Sequence, residues 1–166
     1  MKKKREKRRS APASDSPEPP TGSDFARLSH RFTQFAVEAE AYAGPLYAAL
    51  SRQIALDEDL LAVAWHVRRP PVPNVLFAAV HFLLSQSPEH ELSMFYGSLC
   101  SDPRPPAEAH HAFRDFVLSN RARLIPLLET RITQTNEVGR CSFLLPSFAF
   151  VQHLAGGRPL ALIDIG

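Results

Sequence analysis

Apolar residues recur along most of this chain at helical rather than strand spacing. From Asp24, which reads as an N-cap, Phe25, Leu28, Phe32, Phe35, Ala36, Ala39 and Tyr42 share one helical face. Gly44-Pro45 stops that helix and opens a short second one through Leu46, Tyr47, Leu50 and Ile54. Asp57 caps a third helix, from Glu58 to about Val67. Pro70, Pro71 and Pro73 lack amide donors and bias each preceding residue away from the helix, so Arg68 to Pro73 is expected to be irregular. Asn74 then caps an almost wholly apolar helix from Val75 to about Gln86, the expected centre of a bundle.

A further short helix is expected over Glu89 to Tyr96, and Pro103, Pro105 and Pro106 mark a loop. A long helical stretch follows from Ala107, carrying Phe113, Phe116, Val117, Leu124, Leu127 and Leu128, with a kink expected near Asn120 or Pro126. Thr133-Gln134-Thr135 breaks the pattern. Asn136 caps a last helix to about Leu154, bent at Pro146, and Gly156-Gly157 supplies its C-cap. Then the pattern changes: Leu160-Ala161-Leu162-Ile163-Asp164-Ile165-Gly166 reads as a parallel-type strand. The expected fold is mainly α, a helical domain over 24–157 followed over 158–166 by the first strand of a truncated Rossmann-like α/β domain.

Charge changes the picture at one end only. The 166 residues carry 19 Lys and Arg against 17 Asp and Glu, but seven of those bases and one acid lie between Lys2 and Arg9. The remainder is mildly acidic, and the pI of about 8.7 belongs to the tail. Residues 1–23 combine that run with Pro12, Pro17, Pro19 and Pro20, and have too little apolar surface to offset the entropy of ordering, so they are expected to be disordered. The tail supports at most weak contacts with nucleic acid or another polyanion. No apolar run reaches the roughly 18 to 20 residues that span a bilayer, and no signal peptide follows the basic run. Cys100 and Cys141 are too few for a disulfide framework. The expected compartment is the cytoplasm.

Two stretches could carry chemistry. Gln134 to Arg140 is a dense polar run at an expected helix N-terminus, where free amides and the helix dipole favour an anion or polar ligand. Asn136, Glu137 and Arg140 are its candidate substrate-binding residues, although a cap and a surface ion pair explain the same pattern. The terminal strand ends in Asp164-Ile165-Gly166, an acid and a turn glycine at a parallel strand's edge, which are the candidate cofactor-binding residues. The seven histidines form no HxxxH or HExxH pattern, no metal site is expected, and no GxSxG motif points to a nucleophile.

One family resemblance draws these stretches together. Pro45-Leu46-Tyr47, Pro73-Asn74-Val75-Leu76, Ala78 to Leu84 with His81, Phe95-Tyr96, Ala112-Phe113-Arg114, Gln134 to Cys141, Leu144-Leu145-Pro146 and Arg158 to Gly166 occur in that order. The chain from about residue 25 onwards thereby resembles a bacterial family known as domain of unknown function 2332. The resemblance implies that the terminal strand continues into a glycine loop, a helix and a longer α/β domain, similar to the first motif of S-adenosylmethionine-dependent methyltransferases. By that likeness Asp164 and Gly166 open the cofactor loop, and Asn136, Glu137 and Arg140 lie on the substrate side. The implied protein is a methyltransferase-like enzyme that acts on a small molecule, and the chain alone is expected to be catalytically silent. A non-catalytic helical interaction or regulatory module is the alternative. The unpaired strand end makes the isolated chain prone to associate.

Overall fold

The computed structural model describes residues 19–42, 44–133 and 140–161, apart from the side chains of Tyr42, Arg140 and Cys141. The chain divides at Thr133 and Gln134 into two units, each considered by itself.

The first unit is a helical bundle. Its helices are α1 Gly22–Tyr42, α2 Pro45–Ile54, α3 Glu58–Ala64, α4 Val72–Leu84, α5 Ala109–Ser119 and α6 Arg121–Thr130. Two 3-10 turns, Glu91–Phe95 and Pro106–Glu108, lie between α4 and α5. α1 packs on α2, α3 and α4, while α5 closes on α2 and α3, and α6 on α4.

The start of α1 corrects the expected cap. The helix begins ahead of Asp24, and Thr21 stands at its boundary. The Asp24 carboxylate accepts hydrogen bonds from the Thr21 amide at 3.0 Å and the Thr21 hydroxyl at 2.6 Å. Asp24 is therefore the returning arm of a capping box rather than the cap itself, and these bonds hold its carboxyl below the usual carboxylate range. Further along the face, Leu28, Phe32, Ala36 and Ala39 are buried as their spacing requires. Gly44, at φ 99°, donates its amide to the Ala39 carbonyl at 2.8 Å and leads into α2, where Pro45 occupies the first turn. Asp57 does cap α3, accepting the Leu60 amide at 3.2 Å.

α4 also starts earlier than expected, at Val72, so Asn74 lies inside it and Pro71 at its N-cap position. Pro73 does not obstruct this start, because first-turn amides have no helical partner and the ring fixes a helical φ. α4 is the centre of the bundle: Val75, Leu76, Phe77, Ala79, Val80, Leu83 and Leu84 are all buried. Phe77 lies where four helices meet, its ring centroid 6.4 Å from Phe32 on α1, 5.0 Å from Tyr47 on α2 and 5.8 Å from Phe113 on α5. The expected long helix is two, broken at Asn120 (φ −103°, ψ 13°). Pro126 lies within α6.

The second unit contains α7 Arg140–Leu154, with Pro146 inside it. Its end is a glycine-rich cap: the Gly157 amide donates to the Gln152 carbonyl at 2.9 Å and the Gly156 amide to His153 at 3.0 Å. Both glycines have positive φ, as a Schellman motif requires. Among the described residues there is no strand. Leu160 and Ala161 belong to no regular element, and Leu162 to Gly166 lie outside the described residues.

Candidate functional site

The candidate residues read from the sequence fall where the structure is silent. Asn136, Glu137, Asp164 and Gly166 lie outside the described residues, and Arg140 is described only as the first backbone position of α7. The first unit instead brings together residues whose chemistry local patterning did not reveal.

Pro45 and Tyr47 at the start of α2 face a cleft of about 560 Å3, whose other walls include Phe95, Tyr96, Ser98 and Arg104. Local structure places each wall. The 3-10 turn after α4 is set by His90, whose Nδ1 accepts the Leu92 amide at 3.1 Å, and it carries Phe95 and Tyr96. The proline-rich loop folds back so that the Arg104 amide donates to the Met94 carbonyl at 2.9 Å. The Arg104 guanidinium then binds Glu91 at 2.9 Å and sits 6.0 Å over the Phe95 ring.

Tyr47 and Tyr96 meet edge to face with centroids 6.1 Å apart. The Tyr96 ring is covered on another side by His81, stacked at 5.2 Å, and His81 Nε2 lies 2.9 Å from the Ser98 hydroxyl. Burial pushes the Tyr47 hydroxyl up from its ordinary pKa, and pushes Tyr96 up much further, with Tyr47 adding to the effect. Both phenols are therefore neutral hydrogen-bond donors at physiological pH, not proton acceptors. The Tyr96 residue is 3% exposed, and its hydroxyl has no hydrogen-bond partner. Such a cleft can stack a planar group and offer it a donor.

A second polar cluster has a structural explanation. Asp57 accepts Arg114 Nε at 3.0 Å and has His110 Nε2 3.5 Å away, so the acid that caps α3 also ties α3 to α5. The other histidine contacts with acids are similar ties, His66 to Glu129 at 3.2 Å and His90 to Asp115 at 3.3 Å. No cluster of three His, Cys, Asp or Glu side chains suited to a metal ion occurs among the described residues. None of the helices searched among those residues is long and apolar enough to cross a membrane.

The model of a family described as an uncharacterized protein conserved in bacteria (DUF2332) matches residues 29–166. The chain belongs to this family. No curated protein and no solved structure matches it. Within this DUF2332 chain, three segments that carried the resemblance, Pro45-Leu46-Tyr47, His81 and Phe95-Tyr96, meet at the aromatic cleft or directly behind its Tyr96 wall. Sequence reading took those aromatics for packing residues. The available signal was the proline-rich run beside Phe95-Tyr96, which keeps a loop from closing over the rings.

Proposed function

We propose that this chain is the ligand-recognising helical part of a bacterial protein built like an S-adenosylmethionine-dependent methyltransferase. The observation that supports recognition is the aromatic cleft, with Tyr47, Phe95 and Tyr96 in its walls and an unpartnered phenol. Its volume of about 560 Å3 falls in the roughly 300 to 1,000 Å3 range of small-molecule sites. The ring faces suit a planar apolar ligand, and a neutral tyrosine hydroxyl suits an acceptor on its rim. The cofactor half of the proposal rests on the resemblance. Among the described residues no glycine turn follows a strand, so Asp164 and Gly166 alone would open the cofactor loop. Asn136, Glu137 and Arg140 stand as its substrate-side residues.

The test is calorimetric titration of S-adenosylmethionine into this chain and into a form extended through the α/β domain that the resemblance implies. The extended form is expected to bind and this chain to be silent; no heat from the extended form would remove the cofactor half. Indole titrated into the chain probes the cleft separately. Tyr47→Ala is expected to weaken indole binding several-fold, and unaltered binding would remove the recognition half.

A non-catalytic interaction module is the second reading, favoured by α7, on which Phe143, Leu145, Phe150 and Leu154 are exposed. Replacing Asn136, Glu137 and Arg140 together by alanine separates the two. Lost partner binding with small-molecule binding intact supports the module, and the reverse supports the enzyme.

A further inference from the structure

α4 and α6 enclose a second concavity of about 370 Å3 that shares no lining residue with the aromatic cleft. Val75, Ala78, Ala79 and Phe82 line it from α4, and Leu127 and Ile132 from α6 and the residues that follow. Phe82 keeps 55% of its surface exposed and Ile132 52%, so the groove presents uncovered apolar surface in a bundle that otherwise buries such residues well.

Two polar residues complete the lining, Arg131 and Thr133. Arg131 ends α6, donating its amide to the Leu127 carbonyl at 2.8 Å, and its guanidinium forms no ion pair with a described residue. The nearby acid Glu129 is already engaged by His66 and Arg68. The Thr133 hydroxyl oxygen is buried and has no hydrogen-bond partner. A buried hydroxyl left unpaired destabilises the fold, so it marks a place where a polar group is missing.

We propose that this groove is a binding site for a small apolar monocarboxylate, its body against α4 and α6 and its carboxylate held by Arg131 and Thr133. Charge complementarity selects this occupant. An uncharged apolar ligand leaves the guanidinium and hydroxyl unmatched, and a cation is repelled. A carboxylate accepts the paired donors of the guanidinium and the hydroxyl proton together. The inference does not depend on the aromatic cleft or on a methyltransferase activity.

Octanoate and octanol, equal in apolar body and different in charge, are the probes. They are titrated calorimetrically into the full chain, into Arg131→Gln and Thr133→Val, and into Ala78→Trp. Ala78 is exposed on the groove wall, so tryptophan there fills the groove without entering the core. Octanoate is expected to bind the native chain at least about tenfold more tightly than octanol, a margin in line with a charge-assisted hydrogen-bonded contact. Arg131→Gln should abolish that preference, Thr133→Val should reduce it, and Ala78→Trp should remove binding of both probes. The preference should also shrink as salt is raised. Circular-dichroism melts establish that each variant is folded, and Ala78→Trp carries the test if Arg131→Gln is not. Equal octanoate affinity in the native chain and Arg131→Gln overturns the proposal, as does octanoate binding that survives Ala78→Trp. Absence of octanoate binding to the native chain also overturns it and leaves the groove to a protein segment.

Discussion

α4 and α7 are both rich in large apolar side chains, and both contain a proline, yet they are treated in opposite ways. α4 buries Val75, Leu76, Phe77, Val80, Leu83 and Leu84 among α1, α3 and α6. α7 exposes Phe143, Leu145, Phe150 and Leu154, residues spread around its circumference. A helix apolar on every side is stable in water only when something surrounds it. The bundle supplies that for α4 from its own chain. The contrast teaches that apolar content alone does not set burial; neighbours do. It also makes α7 the part of the described structure with the most to gain from a partner.

Phe77→Ala is expected to have the largest effect on this contrast. Phe77 is 4% exposed and its ring meets aromatic rings from α1, α2 and α5. Truncation should cost about 3–5 kcal/mol of stability in urea unfolding. A loss below about 1 kcal/mol, the ordinary effect of an arbitrary substitution, would mean that α4 is not the centre of a single cooperative core.

A smaller change, opposite in sign, is expected at Ser51. This residue is 0% exposed on α2, and its hydroxyl has no partner. Ser51→Ala removes an unsatisfied polar atom and adds helix propensity, so it should raise stability by about 1 kcal/mol. A drop in the unfolding midpoint would show that the hydroxyl is paired in solution and that the core is less apolar than described.

The smallest effect on folding is expected in α7. Phe143→Glu with Phe150→Glu should leave unfolding of the bundle within about 0.5 kcal/mol, as for other exposed positions. The same pair should shift sedimentation towards the monomer, because it breaks the apolar surface available for association. A destabilisation as large as that of Phe77→Ala would place α7 in the same cooperative unit as α4 and abolish the contrast.

Much of the helical order was legible because it is local. Gly44-Pro45 and Asp57 mark boundaries through backbone conformation and side-chain capping that neighbours in sequence decide. Gly156 and Gly157 were equally readable as a C-cap. The errors at Asp24 and Asn74 have one physical cause. Several residue types near a helix start satisfy the same orphan amides, so a capping box at Thr21 and a proline-led first turn at Val72 each moved the boundary earlier. The candidate site was less legible. Asn136, Glu137, Arg140, Asp164 and Gly166 were singled out by local polarity, strand pattern and resemblance, whereas the cleft and the groove combine residues from helices far apart in the chain.

By itself the sequence determined that this chain is mainly helical, where most helices begin and end, and which faces of α1 and α4 are apolar. It also carried the segments that place the chain in its bacterial family. Only the tertiary structure decided that Tyr47 and Tyr96 meet in a cleft, that the Tyr96 and Thr133 hydroxyls lack partners, and that Arg131 lies beside an open apolar groove. Helix periodicity and capping arise from contacts within a few residues, so they are written locally. A cavity and an unsatisfied polar atom exist only once distant elements have packed, because each is defined by what the packing fails to fill.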